Sequence, residues 1–187
     1  MAALPLEGIR VVDLSHVYAL PYAASVMADL GAEVIKVEGP GRLDITRQSP
    51  FSGLYGDNDP SGDPWNRSST YNLINRGKKS IVLDLNKPEG LEVLKDLIKV
   101  SDVFMENFTP RVMRRWGLEY PDVKKLNAKL VMASNTGYGR GEGPYSQYPA
   151  QATTQEATHG LAHVTGYGGD IPSKAGQSYV DFLASWA

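Results

Sequence analysis

The sequence predicts an α/β fold, an open parallel sheet with helices on both faces, on three observations. Short apolar, β-branched runs alternate with stretches of helical apolar spacing from Ile9 to Ser134. Prolines and glycines stand at the helix boundaries this alternation implies. The first two runs lack strict in-out alternation, as parallel strands buried on both faces do. The pattern is densest from Gly8 to Gly41, GIRVVDLSHVYALPYAASVMADLGAEVIKVEGPG, and the rest of the chain is organised around that stretch. Ile9 to Leu14 reads as a strand, Pro21 to Leu30 as a helix and Val34 to Val37 as a second strand, a βαβ unit. Pro21 is tolerated in a first helical turn, and Gly31 stands where a left-handed residue ends a helix. Open parallel sheets bind ligands at the carboxyl ends of their strands. The turn from Ser15 to Pro21 and the turn after Glu38 are therefore the first candidates for a binding surface.

From Arg42 to Asn66 the composition shifts to Gly, Pro, Ser, Asp and Asn, either a surface insertion or a functional loop. Ser69 to Arg76 reads as a short helix ended by Gly77, and Ser80 to Leu85 as a third strand. NKPEG then turns into a helix with Pro88 in its first turn and Leu91, Leu94, Leu97 and Ile98 as its apolar stripe. Val103 to Met105 is a fourth strand. Thr109 can cap the next helix, Pro110 opens it and Gly117 closes it. This second strand-to-helix turn carries Asn107, with Arg111, Arg114 and Arg115 behind it. Guanidinium forks near a helix start suit phosphate, and a solvated basic face is the plainer alternative.

Lys129 to Ser134 is a fifth strand. The glycines at 137, 139, 141 and 143 beyond it do not form G-x-G-x-x-G, and no Walker lysine follows, so an active-site loop or a connector is expected rather than a nucleotide loop. Gln151 to Val164 reads as one helix with His159 and His163 on one face. No third ligand or HExxH pattern accompanies them, so no metal site is expected. Gln177 to Asp181 leads into the apolar tail FLASWA, where an aspartate ordinarily serves as an N-cap. That tail has no glycine or polar exit, and the expectation is that the natural chain continues.

A chain of 187 residues accommodates one such domain, and a formal net charge of -2 gives no reason to expect nucleic acid or a membrane surface as partner. There is no cysteine, which excludes a disulfide framework, a thiolate zinc site and a cysteine nucleophile and fits a cytoplasmic enzyme. MAALPLEG has neither a basic nor a long apolar region, so no signal peptide is expected. No repeat, low-complexity tract or membrane-length apolar run is present.

With these residues in view, four segments resemble the family III CoA-transferases, a group that includes formyl-CoA and carnitine CoA-transferases and, on a sister branch, α-methylacyl-CoA racemase. They are the Gly8–Gly41 stretch, NRGKKSIVLDLNKPEG from Asn75, DVFMENFTPRVMRRWGL from Asp102 and LNAKLVMASNTGYGRGEGPYS from Leu126. The resemblance implies a Rossmann-like large domain binding coenzyme A, with residues 1–187 as its N-terminal part. The small domain and the C-terminal return segments lie in a half not present here. It also implies that Val17, Tyr18 and Ala19 lie along CoA, and that Leu83 contacts the adenine side. Asn107 and Phe108 would contact the pantetheine end, and Arg115 would sit near the phosphates. Asp181, in GQSYVDFLAS, falls at the position of the family nucleophile.

The implied activity is transfer of CoA between an acyl-CoA and a free carboxylic acid through an aspartyl-CoA thioester, without metal, in an interlocked homodimer or a related heteromer. Four positions depart from the family pattern. Tyr18 stands for a glutamine of the formyl-CoA enzymes and Leu20 for a usual glycine. Gly39 stands for a CoA-contacting arginine, and Ala152 for an active-site glutamate of some members. They leave the acyl group and acceptor open. The racemase branch has a histidine where Gln151 stands, and an amide cannot exchange that proton, which disfavours racemisation. A non-catalytic CoA-binding subunit is a third alternative, and a hydride-transferring dehydrogenase a weaker fourth, since the sheet suits it but the dinucleotide fingerprint is missing.

Overall fold

Five short strands, β1 (Arg10–Asp13), β2 (Glu33–Glu38), β3 (Lys79–Val82), β4 (Val103–Glu106) and β5 (Val131–Ser134), form one parallel sheet in the order β3-β2-β1-β4-β5. The computed structural model describes residues 3–48, 55, 58–59, 61–169, 171–176 and 178–186. Residues 49–54, 56–57 and 60 of the long loop, and Gln177 ahead of the last helix, lie outside the described residues. Between the strands run α1 (Ala19–Asp29), α2 (Pro64–Arg67), α3 (Ser69–Ile74), α4 (Pro88–Lys99), α5 (Pro110–Trp116) and α6 (Tyr120–Leu126). After β5 come α7 (Ala152–Thr158), α8 (Leu161–Val164) and α9 (Tyr179–Trp186).

The central strand shows why its sequence does not alternate. Val11 pairs with Val34 on one side and Val103 on the other. Val11 packs with Leu20, Ala24, Val34 and Met105 beneath α1, while Val12 packs with Val37, Leu94, Ile98, Phe104 and Met113 beneath α4 and α5. Successive side chains point to opposite faces, and both faces are covered by helices, so both positions must be apolar. The sheet grows outward from β1 in one direction through β2 and β3, and in the other through β4 and β5. The carboxyl ends of β1 and β4 thus flank the point where the strand order reverses, the place such sheets hold ligands.

Several boundaries are set as the residues imply. Gly31 and Gly117 take φ of 102° and 62° at the ends of α1 and α5. Gly90 matters for a different reason: a Cβ there would sit 2.2 Å from the Asp84 carbonyl oxygen, so only glycine lets α4 settle on the turn after β3. Other expectations are corrected. The third strand stops at Val82, short of Leu85, although Leu83 still donates its N–H to the Glu38 carbonyl at 2.9 Å. The single helix expected from Gln151 to Val164 breaks into α7 and α8, because Gly160 adopts φ 81°. Thr109 precedes α5 but makes no side-chain capping bond. The sequence reading also passed over α6, whose Val123 is buried against Leu118 and Leu130. Among the described residues no helix is long and apolar enough to cross a membrane.

Candidate functional site

A cleft of about 980 Å³ opens at the carboxyl edge of the sheet, lined by the turns after β1, β2, β3, β4 and β5 and closed on one side by α7 and α9. Its floor is the β1–α1 turn. Val17 there has φ 70°, a left-handed conformation that costs a β-branched residue of order 1–3 kcal/mol and persists only where its surroundings hold it. What holds it is Asp44. One of its oxygens accepts the Val17 N–H at 2.9 Å, and the other accepts the Thr46 N–H at 2.9 Å and hydroxyl at 2.8 Å.

Beneath that turn lies a cluster of buried charge. Lys36, 1% exposed in the middle of β2, donates its ammonium to the Ser15 carbonyl and stands 3.9 Å from Asp44 and 4.0 Å from Asp13. Lys78 donates to Asp13 at 2.7 Å, to the Pro21 carbonyl at 2.8 Å and to Asn75 at 2.9 Å. Burial alone would raise the Asp13 carboxyl, but Lys36 and Lys78 outweigh it and hold it below the usual carboxylate range. For Lys78 burial prevails, with Lys36 adding to it against the pull of Asp13, and its ammonium falls to about 8. At the outer end Glu38 receives Arg47 through two nitrogens, at 3.1 and 2.7 Å, and the Tyr71 hydroxyl at 2.7 Å. Burial opposes ionisation there too, yet Arg47 and Tyr71 hold Glu38 down to about 2.

The β4–α5 turn forms the adjoining wall. Asn107 locks it to the floor: the His16 N–H donates to the Asn107 side-chain oxygen at 2.8 Å, and the Asn107 amide donates back to the His16 carbonyl at 2.6 Å. Phe108 sits edge-on between His16 and Trp116, at 5.4 and 5.2 Å between ring centroids. Glu106 accepts the Phe108 N–H at 2.9 Å and pairs with Arg140 from the glycine-rich segment, which pins that segment over the end of β4. The remaining rim comes from residues 39–43 after β2 and Leu83 to Asn86 after β3, with Arg115 reaching Asn86 at 3.3 Å.

Asp181 lines the opposite side. It is the third residue of α9, not its N-cap: the Ser178 carbonyl already accepts the N–H groups of Asp181 and Phe182, at 3.1 and 3.3 Å. The helix leans on α1 through aromatic rings, Phe182 against Tyr18 and Tyr22 at 5.9 and 5.4 Å, and through the Ser185 hydroxyl, which donates to the Ala19 carbonyl at 2.7 Å. Burial raises the Asp181 carboxyl above the usual range, and only its own backbone N–H counters that.

The residues expected from sequence, Val17, Tyr18, Ala19, Leu83, Asn107, Phe108, Arg115 and Asp181, all line this one cleft. Arg111 and Arg114 do not, and Arg114 instead bonds Gln147 at 2.7 Å. The two helical histidines fall on either side of the break at Gly160. His159 stacks on Tyr138 at 5.8 Å, and no group of three metal-ligating side chains exists among the described residues. Sequence reasoning missed His16 and the Asp13–Lys36–Asp44 cluster. A charge inside each of the runs VVDL and VIKV was the available signal, since a central strand holds a charge only when another group pairs it.

A doubly wound sheet with a cleft at its strand-order reversal is the class that this geometry defines. The sequence model of CoA-transferase family III matches residues 6–187, and the chain belongs to that family. It is 39% identical over 180 residues to succinyl-CoA:glutarate CoA-transferase of Homo sapiens, covering 95% of this chain and 38% of that protein. It is 38% identical over 177 residues to the succinyl-CoA–L-malate CoA-transferase beta subunit of Chloroflexus aurantiacus, covering 94% and 40%. Among solved structures, a CaiB/BaiF family protein from Brucella suis superposes with a TM-score of 0.83 at 32% identity, over 99% of this chain and 47% of that one. The chain spans about two fifths of the length of the curated relatives it matches.

Proposed function

We propose that this chain is the CoA-binding, nucleophile-bearing half of a CoA-transferase that moves CoA from an acyl-CoA to a free carboxylic acid through an aspartyl-CoA thioester on Asp181. The observation that carries this reading is the shared cleft. Asp181 faces the β1–α1 and β4–α5 turns across it, with no lysine or arginine paired to its carboxylate among the described residues. A carboxylate left without a cation keeps its nucleophilicity, and burial makes its ionised form less stable and more reactive.

In the first half-reaction ionised Asp181 attacks the thioester carbonyl. The carbon–sulfur bond breaks, leaving a mixed anhydride and CoA thiolate. The thiolate attacks the aspartyl carbonyl of that anhydride and expels the donor's carboxylate, leaving Asp181 as a CoA thioester. The acceptor carboxylate then attacks this thioester and releases the thiolate, which takes the acceptor's acyl group and frees Asp181. Every step exchanges one leaving group for one nucleophile, and no proton is consumed. The anhydride must be shielded from water. The segment around Gly137, which packs on Gln155 and Ala150 so closely that a Cβ would stand 1.6 Å from the Gln155 amide nitrogen, supplies part of that wall. The names of the relatives point to short dicarboxylic acids as the substrate class. An interlocked homodimer or a heteromer in the cytoplasm, with a second polypeptide segment completing the cleft, is part of the same proposal.

Intact mass tests it. The chain is incubated with succinyl-CoA, acetyl-CoA or formyl-CoA beside an Asp181→Ala control. The expected result is an adduct of one CoA less one water on the wild type, absent from the control. An adduct that survives in the control removes Asp181 as nucleophile. Binding of CoA with no adduct from any donor selects a binding subunit instead.

A further inference from the structure

Each addition in this scheme places negative charge on a carbonyl oxygen, and a buried site needs a fixed hydrogen-bond donor for it. The β1–α1 wall of the cleft presents Tyr18. Only 7% of this residue is exposed, and its ring lies tilted on Phe182, the neighbour of Asp181, at 5.9 Å between centroids. Its backbone is fixed from both sides. Asp44 holds the preceding residue, Val17, in its left-handed conformation, and Ser185, one turn after Asp181, bonds the carbonyl of the following residue, Ala19. The hydroxyl itself makes no hydrogen bond among the described residues, although the ring around it is packed.

Resting on the reading of Asp181 as nucleophile, we propose that Tyr18 is a further catalytic residue, whose hydroxyl donates a hydrogen bond to the oxyanion formed at the attacked carbonyl beside Asp181. The hydroxyl keeps its proton throughout. When Asp181 attacks the thioester, the carbonyl π electrons move to oxygen and Tyr18 stabilises that charge. When the carbon–sulfur bond breaks, the electrons return and the thiolate leaves. Burial, with the charge of Asp181 adding to it, holds the phenol above its ordinary value, so it stays a neutral donor at neutral pH. A lysine in the same place would pair with Asp181 and quench it; a tyrosine stabilises the oxyanion without neutralising the nucleophile.

The test is single-turnover adduct formation with succinyl-CoA, followed by quenched intact mass, on wild type and Tyr18→Phe. Phenylalanine preserves the ring contact with Phe182, and an unchanged melting temperature verifies the fold. Loss of one oxyanion donor lowers the rate constant at saturating succinyl-CoA by roughly 100-fold, with the half-saturating concentration unchanged within about twofold. A rate constant within about threefold of wild type overturns the proposal, as does a raised half-saturating concentration with the rate preserved, because the hydroxyl then only binds substrate. A wild type that forms no adduct fails the Asp181 reading, and this proposal falls with it. An adduct that forms on wild type and at full rate on Tyr18→Phe fails this proposal alone.

Discussion

On one side of the cleft the β1–α1 turn rests on six interlocked charged side chains, Asp13, Lys36, Glu38, Asp44, Arg47 and Lys78. On the other, α9 holds Asp181 with ring contacts and one hydroxyl bond to α1. The difference separates two tasks. Paired charge is stiff because each member left alone in the interior would be costly, so it can hold Val17 in a conformation the residue disfavours. On the proposed reading of Asp181 as nucleophile, a cation close enough to fix its carboxylate would also lower its reactivity. Aromatic packing positions the backbone of α9 while leaving the carboxylate uncompensated.

The strongest way to break the contrast is Lys78→Met, which leaves Asp13 with Lys36 at 4.0 Å as its remaining cation. Removing one partner of a buried pair costs about 3–5 kcal/mol, read as a drop in unfolding free energy by urea titration. A loss below about 1 kcal/mol would mean that the cluster is not what locks the turn.

Acid comes next. Glu38 has a folded-state value of about 2 against an ordinary 4.5. Its contribution is therefore complete above about pH 4.5 and is lost as pH falls through about 2. Linkage makes this about 2 kcal/mol after allowing for solvent around Arg47. Glu38→Gln should flatten the stability profile across that window, and an unchanged slope there would remove Glu38 as its source.

Smaller effects sharpen the other wall. Ser185→Ala removes the bond to the Ala19 carbonyl and should cost about 1 kcal/mol, seen as faster amide exchange in α9 with the charged cluster unaffected. Asp181 runs opposite in sign to Glu38. Its raised folded value means that stability is lost as pH rises through the ordinary carboxylate range toward the folded value. Asp181→Asn should consequently melt slightly higher than wild type at pH 7 and equal to it at pH 3, by calorimetry. The rate of adduct formation on the wild type should climb with pH at a midpoint above the ordinary aspartate value.

The sheet was legible because its information is local: β-branched runs, first-turn prolines and terminal glycines name strands and helix ends without reference to distant residues. Much of the site was not, and the reason differs by residue. Val17 signals nothing in one dimension, since its strain comes from Asp44, 27 positions on. His16 and Asn107 meet across 91 positions. Asp181 as a cleft residue followed from the family resemblance, whereas residue pattern alone pointed to an N-cap that Ser178 pre-empts. His159 and His163 show the converse: their spacing was legible, and Gly160 undid its meaning.

The central place of β1 also dictates an order of events during synthesis. Its register with β2 closes one edge as soon as residues 33–36 exist, but the other edge waits for Val103 to Met105. At about 5–20 residues per second the nascent chain spends several seconds making the intervening segment. Throughout that interval the backbone groups of an apolar strand stay unpaired on one side. Silent substitution of more slowly translated codons between positions 40 and 100 would lengthen that exposure without altering any contact in the finished protein.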